Sequence, residues 1–198
     1  PDSGFADGAV IVAEVKGVVK VVSDSSAGSE SRPAVVGESF GPDALITTGK
    51  ASSAILLFTN GTIATLTEES RILVKTFLQS KFESNSGLVN EMKEEPSSSI
   101  LRLNLDFGNL VVDVKKLNKG SSMTMHSPVG VVGIRGTQFH LFYRGEASYL
   151  EVLDGSVDYA GGALPLRIVA SGKRQEALRV AGRNDPALNP IKDIPAAQ

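Results

Sequence analysis

The feature that most constrains this chain is its succession of short apolar runs, each closed by a glycine-containing turn. Residues 54–58 form one of the longest of these runs, which suits a strand and is too short for a typical helix. Gly accounts for 20 of the 198 residues, and Val is frequent. The pattern predicts an all-β fold of many short, mostly antiparallel strands in a twisted two-layer sandwich, with a short solenoid as the alternative.

Two hairpins are predicted because Asn-Gly and Asp-Gly tolerate the positive φ that tight turns require. They comprise residues 51–58 and 62–66 around Asn60-Gly61, and residues 149–153 and 156–159 around Asp154-Gly155. Gly108-Asn109 predicts a third turn between strands, and Lys16-Gly17 predicts a bend within residues 10–22.

Residues 67–83 allow two interpretations. Val74, Leu78 and Phe82 recur every four residues after a possible Thr67 cap, which favours a helix. The β-branched residues within 71–78 favour a strand instead, followed by a loop or helical turn. Both interpretations stay open on the sequence alone.

The domain organisation follows from where polar and proline-rich segments fall. We expect one β domain over residues 8–181, with a surface insertion at about 78–100 that is rich in Ser, Glu and Lys. Residues 182–198 contain three prolines and predict an extended or disordered tail.

Composition excludes several classes of function. Lys and Arg number 20 against 22 Asp and Glu, so the charge is −2 and the basic signature of a nucleic-acid binder is absent. The chain has no Cys, which removes thiolate and disulfide chemistry. No apolar run approaches the length of a membrane-spanning helix. The sequence begins at Pro1 and not at Met, so we expect that upstream residues were removed, with an export signal or a membrane anchor among them.

No catalytic, cofactor-binding or metal-ligating set is predicted. His126 and His140 are the two histidines, and no third ligand has a suitable spacing, so solvated or hydrogen-bonded imidazoles are expected. A Gly-x-Ser-x-Gly nucleophile motif is missing. Carboxylates distant in sequence could still meet as in a glycosidase, which leaves a hydrolase as the least favoured hypothesis.

The string from Gly130 to Thr137 is the most distinctive in the chain. It lacks both the G-x-G-x-x-G spacing of dinucleotide sites and the Gly-Lys-Ser/Thr of a phosphate loop. We therefore expect its glycines to let strands bend or approach closely. Arg135 is expected to bond turn carbonyls or a carboxylate inside the fold, with presentation to a partner as the alternative.

At residues 127–139 the chain resembles the FecR domain family of bacteria, whose pattern combines a small residue and Pro, a Val-rich stretch and a Val/Ile-Arg-Gly-Thr-x-Phe core. Residues 37–49, 57–62, 152–157 and 169–172 are similar to other turns of that family. The resemblance spans about residues 10–180 and fits worst at 78–100. The motif residues, for which a structural role is expected, are Pro128, Gly133, Arg135, Gly136, Thr137 and Phe139.

The resemblance implies an extracytoplasmic all-β module. Membrane-regulator members of the family sense the signalling domain of an outer-membrane transporter and control a sigma factor. The sequence shows no anti-sigma segment or transmembrane helix, so a stand-alone periplasmic, secreted or cell-surface protein is the closer expectation.

The sequence thus predicts a non-enzymatic binding or scaffolding module that recognises an envelope protein through strand edges or hairpin loops, in signalling or assembly. No nucleic-acid partner and no cofactor are expected. The alternative is a carbohydrate or cell-wall binding module in which Tyr149 or Tyr159 stacks on a sugar.

Overall fold

A computed structural model of the protein describes residues 4–82 and 91–196. This part of the chain is nearly all β, as the turn-punctuated apolar runs predict. In chain order the strands are β1 (Phe5–Asp7), β2 (Val10–Lys16), β3 (Val19–Val22), β4 (Arg32–Pro33), β5 (Ser39–Phe40), β6 (Leu45–Thr48), β7 (Ser53–Phe58), β8 (Ile63–Leu66), β9 (Arg71–Ser80), β10 (Ser99–Asp113), β11 (Ser122–Ser127), β12 (Gly130–Ile134), β13 (Gln138–Arg144), β14 (Ala147–Asp154), β15 (Ser156–Ala160), β16 (Arg167–Ala170), β17 (Lys173–Leu178), β18 (Ala187–Leu188) and β19 (Lys192–Asp193).

The strands form two open layers that share β10. Sheet A has the order β4-β3-β6-β9-β10-β11-β12-β15-β16, with β1 also paired to β9. Sheet B has the order β5-β2-β7-β8-β10-β13-β14-β17, with β18 and β19 both paired to β17. Among these strands the pairs are antiparallel except β10 with β11, and neither layer closes into a barrel.

One continuous apolar core fills the space between the two layers. Alternate residues of each strand point inward, as the period of two predicts. Phe58 of β7 and Phe77 of β9 meet edge to face across the layers, with ring centroids 5.6 Å apart, and both are fully buried. The predicted all-β class with mostly antiparallel strands is therefore confirmed.

β10 passes from sheet A to sheet B in the middle of its length. Its buried residues are Leu103 and Leu105 before the crossing and Leu110 and Val112 after it, so the inward side changes by one residue. A register shift lies at Leu105/Phe107, and Gly108 has a φ of 105°. The turn predicted at Gly108-Asn109 is wrong, because β10 continues through these residues without reversing. A β-bulge at this point shifts the alternation by one residue, so the apolar side chains of both halves face the core.

The hairpin predicted around Asp154-Gly155 is also wrong. β14 pairs with β13 and β17 in sheet B, whereas β15 pairs with β12 and β16 in sheet A. Gly155, with a φ of 84°, carries the chain between layers rather than turning it back. Gly17, at the predicted bend, does the same between β2 and β3.

The hairpin of β7 and β8 is confirmed, although its turn differs from the expected one. The Phe58 amide donates to the Thr62 carbonyl, which leaves a three-residue loop in which Gly61 alone has positive φ, at 87°. Asn60 is 1% exposed; its side chain accepts from the Thr62 amide and donates to Ser99 Oγ. Its role is therefore to bond the loop to β10.

In residues 67–83 the strand interpretation is correct and the helix interpretation is wrong, since β9 extends to Ser80. The predicted insertion at 78–100 overlaps the end of β9 and the start of β10, and its residues 83–90 lie outside the described part. In the predicted tail, β18 and β19 are extended and pair with β17. The domain bounds themselves stay a prediction. Within the described ranges, no helix has the length and apolar character required to cross a bilayer.

Candidate binding surfaces

The Arg135-Gly136-Thr137 motif forms a corner between the layers. β12 of sheet A ends before it and β13 of sheet B begins after it. Thr137 is 2% exposed; its amide and carbonyl both bond to Val114 at 3.1 Å, and its hydroxyl donates to the Ser156 carbonyl at 2.9 Å. A Cβ on Gly136, whose φ is 91°, would lie 2.9 Å from Lys116 Cα. Gly136 and Thr137 therefore fix this corner against the segment after β10.

The other motif residues occupy different environments. Phe139 is fully buried in the core, and Pro128 is exposed in the turn between β11 and β12. A Cβ on Gly133 would meet its nearest neighbour, Asp158, at an ordinary 3.7 Å. By contrast, a Cβ on Gly130 would lie 2.6 Å from the Ala160 carbonyl oxygen. Within this string, Gly130 and Gly136 therefore lie close to other backbone, and Gly133 does not.

Arg135 is exposed, and its side chain bonds to no other residue of the described ranges. It lines two cavities on the surface, of about 610 and 380 Å³. The larger extends past Gly136 to Gln138 and the smaller past Asn118 to Ser121. The structural role expected for Arg135 stays a prediction. The alternative, in which Arg135 presents its side chain to a partner, is consistent with its exposure.

A polar network crosses the outer face of sheet B. His140 Nδ1 lies 2.9 Å from Glu151 Oε2, and Arg174 Nε donates to Glu151 Oε1 at 2.7 Å. The second ring nitrogen of His140 contacts Asn109 Oδ1. The Glu151 side chain is 9% exposed. Burial alone would raise the pKa of Glu151, but the hydrogen bonds from His140 and Arg174 and the charge of Arg174 hold it below its ordinary value.

The two tyrosines predicted as sugar platforms are engaged within the fold. Tyr149 stacks on Phe142 of β13 at 4.8 Å between centroids, and the Arg174 guanidinium of β17 lies 4.3 Å from its ring centre. Tyr159 is 2% exposed, and its hydroxyl donates to the Val129 carbonyl at 2.8 Å. The platform predicted from Tyr159 is wrong because no face of a buried ring is accessible, and Tyr149 has neighbours from both flanking strands.

The two histidines lie in different sheets, His126 on β11 and His140 on β13. Burial, together with the nearby Arg102, lowers the pKa of His126. In the described ranges no three His, Asp or Glu side chains come together in a way that could hold a metal ion.

One sheet edge is less protected than the others. Of the other edge strands, β4, β5, β18 and β19 have two residues each and β1 has three, and β4 includes Pro33. β16 has four residues, and no backbone bond within the described ranges joins its outer edge to another strand. Ile168 is 67% exposed and the adjoining Leu166 63% exposed. The sequence predicts this strand but not its place at an edge, because the pairing is non-local.

Comparison with known proteins agrees with this architecture. The model of a family described as FecR protein matches residues 44–158, more than half of the chain. Two crystal structures of a candidate anti-sigma factor from Parabacteroides distasonis, at 1.65 and 2.50 Å resolution, share the fold with TM-scores of 0.56 and 0.54 and identities of 12% and 10%. Each comparison covers 75% of this chain and 59% of the other, so the chain spans about three-fifths of those proteins' length. No curated protein matches the sequence.

Proposed function

This chain belongs to the FecR protein family, and from that premise we propose that it is a non-enzymatic, extracytoplasmic module that binds an envelope protein in signalling or assembly. The fold shared with a candidate anti-sigma factor supports a regulatory role. The observation that carries the proposal is the free edge of β16, with Ile168 exposed on the strand and Leu166 exposed just before it.

An unpaired strand edge presents backbone donors and acceptors that an extended segment of another protein can bond as an added strand. Most proteins shorten such edges or place Pro or Lys on them, as β4 does with Pro33. β16 places Ile168 opposite Asp158 of β15, on the solvent-facing side of the layer. A partner strand would bury Ile168 and Leu166 while extending sheet A.

The most conspicuous acid–base groups support a binding role over catalysis. Both carboxylate oxygens of Glu151 are bonded, one to His140 and one to Arg174. His140 in turn contacts Asn109 with its other nitrogen. His140, Glu151 and Arg174 therefore bond to one another or to Asn109, which is the arrangement of a structural network.

The proposal is tested by affinity capture from an envelope extract with the wild type, Ile168→Lys and Val36→Lys as bait. Val36 is 57% exposed and lies away from β16, so it is a matched control for adding a lysine to an exposed apolar position. We expect the wild type and Val36→Lys to recover the same saturable partner and Ile168→Lys to lose it. Equal recovery by Ile168→Lys, or no partner across several growth conditions, would contradict the proposal.

A further inference from the structure

The two cavities beside Arg135 have two lining residues in common and are together called the Arg135 groove here. The larger cavity is lined by Lys93, Asp113 and Asp154, and the smaller by Lys119 and Glu94. Arg135 and Lys116 line both. The Arg135 side chain thus stands at the middle of the groove, where a ligand lying along it would pass.

The charges of the groove favour an anionic group at Arg135. Lys115 is paired with Asp113 at 2.7 Å, and Lys116 is paired with Glu94 at 2.8 Å. Arg135 forms no ion pair within residues 4–82 and 91–196. Its planar fork can take a carboxylate through two parallel hydrogen bonds. Lys93 and Lys119 also form no ion pair in these ranges, so the groove has three cations available, of which Arg135 is the one that lines both cavities, although the whole chain has a charge of −2.

The backbone that supports Arg135 is held in place before any ligand arrives. Thr137 bonds the corner to Val114 and Ser156, and Gly136 packs against Lys116 with no space for a side chain. A backbone that is already fixed loses less conformational entropy when a ligand binds, and this favours specific binding.

The carboxylates of the groove restrict the class of ligand. Asp154 forms no ion pair within the described ranges, so a continuous row of phosphates would meet an unneutralised carboxylate on a chain whose net charge is −2. A peptide has isolated carboxylates, and its backbone amides can donate to Asp154. We propose that the Arg135 groove binds an extended peptide segment with an Asp or Glu side chain held by Arg135. This site uses other residues than the β16 edge and so goes beyond the function proposed above.

The test is selection from a phage-displayed library of random peptides on the wild type, Arg135→Gln and Arg102→Gln. Arg102 is an exposed arginine of β10 outside the groove, so its variant is matched in charge. We expect the wild type and Arg102→Gln to select peptides that share an acidic position, and Arg135→Gln to select none of them. A selected peptide should bind Arg135→Gln at least about tenfold more weakly, since a charged hydrogen-bonded pair is lost.

Further measurements keep the outcome decisive. Arg135→Lys retains the charge without the fork and should show an intermediate affinity, and the thermal unfolding of each variant verifies that it is folded. Ile168→Lys should keep the peptide affinity of the wild type, which separates this site from the strand edge. Absence of acidic enrichment, selection that is unchanged in Arg135→Gln, or equal displacement by inorganic phosphate at comparable concentration would overturn the proposal.

Discussion

Gly108 lies against Ser70 so closely that a Cβ on the glycine would be 2.4 Å from Ser70 Cα. The contact is located where β10 leaves sheet A for sheet B. Ser70 is fully buried, and its Oγ accepts a hydrogen bond from the Asn109 amide at 2.9 Å. The corner before β9 and the bulge of β10 therefore fit together as one unit.

Gly108→Ala should lower the free energy of unfolding by about 2–4 kcal/mol, because it adds a steric conflict to the strain of a positive φ. Gly37→Ala is the control, since Gly37 has a φ of 88° and open space around it. Urea unfolding measures both. An equal loss in the two variants would show that the contact with Ser70 has no effect.

Gly130→Ala should destabilise the protein by about 1–3 kcal/mol, the range for overpacking a tight site. Its Cβ would meet the Ala160 carbonyl oxygen at 2.6 Å, whereas the Cβ of Gly133→Ala has room. Thermal unfolding of the two variants compares the positions directly. A larger loss for Gly133→Ala would contradict this assignment of the close approach.

Glu151→Gln should cost about 1–3 kcal/mol, because Arg174 and His140 both lose a mostly buried carboxylate and Arg174 keeps only its longer 3.5 Å pair with Glu176. The control is Glu69→Gln, which removes an exposed ion pair with Arg144 and should cost at most about 1 kcal/mol. Chemical denaturation at neutral pH measures both changes. Similar losses would indicate that solvent screens the Glu151 network as fully as an exposed pair.

The same carboxylate predicts how stability depends on acid. Because the pKa of folded Glu151 lies below its ordinary value of 4.5, its contribution is present above that value and is lost as pH falls through the folded pKa. The difference in unfolding free energy between the wild type and Glu151→Gln should therefore shrink as the pH is lowered from about 7 to about 3. A constant difference over this range would contradict the shift.

Tyr159 predicts a loss of stability in alkali. Burial raises the pKa of its phenol from 10.0 to about 12, so the stabilisation it gives is complete below pH 10 and is lost as pH rises toward 12. Tyr159→Phe should cost about 1–2 kcal/mol at neutral pH, since the Val129 carbonyl loses its donor. This cost should decrease between about pH 10 and 12 in denaturation experiments. A cost independent of pH would be inconsistent with a buried phenol.

The alternation of apolar residues was sufficient to predict the strands and the core side of most of them. Gly61, Gly108 and Gly155 all have positive φ, yet one lies in a hairpin loop, one in a bulge and one at a change of layer. The local requirement is the same in the three cases, because glycine adopts a positive φ without the steric cost that a side chain would add. Only the distant strand that pairs on either side decides between them.

The candidate surfaces could be predicted only in part. The Arg-Gly-Thr string indicates the corner, since its glycine and small residues allow two backbones to approach. The exposure of Arg135 and the free edge of β16 depend on which segments pack nearby, and those contacts join residues far apart in sequence. His140, Glu151 and Arg174 come together by cross-strand register for the same reason.

Because β10 belongs to both layers, the unfolding of one layer is linked to the unfolding of the other. β10 holds β9 and β11 on its first half and β8 and β13 on its second. Detaching it would strip a hydrogen-bonded neighbour from four strands at once, so neither layer can open independently of the other. Unfolding should consequently be a single cooperative event, with the slowest amide exchange along β10.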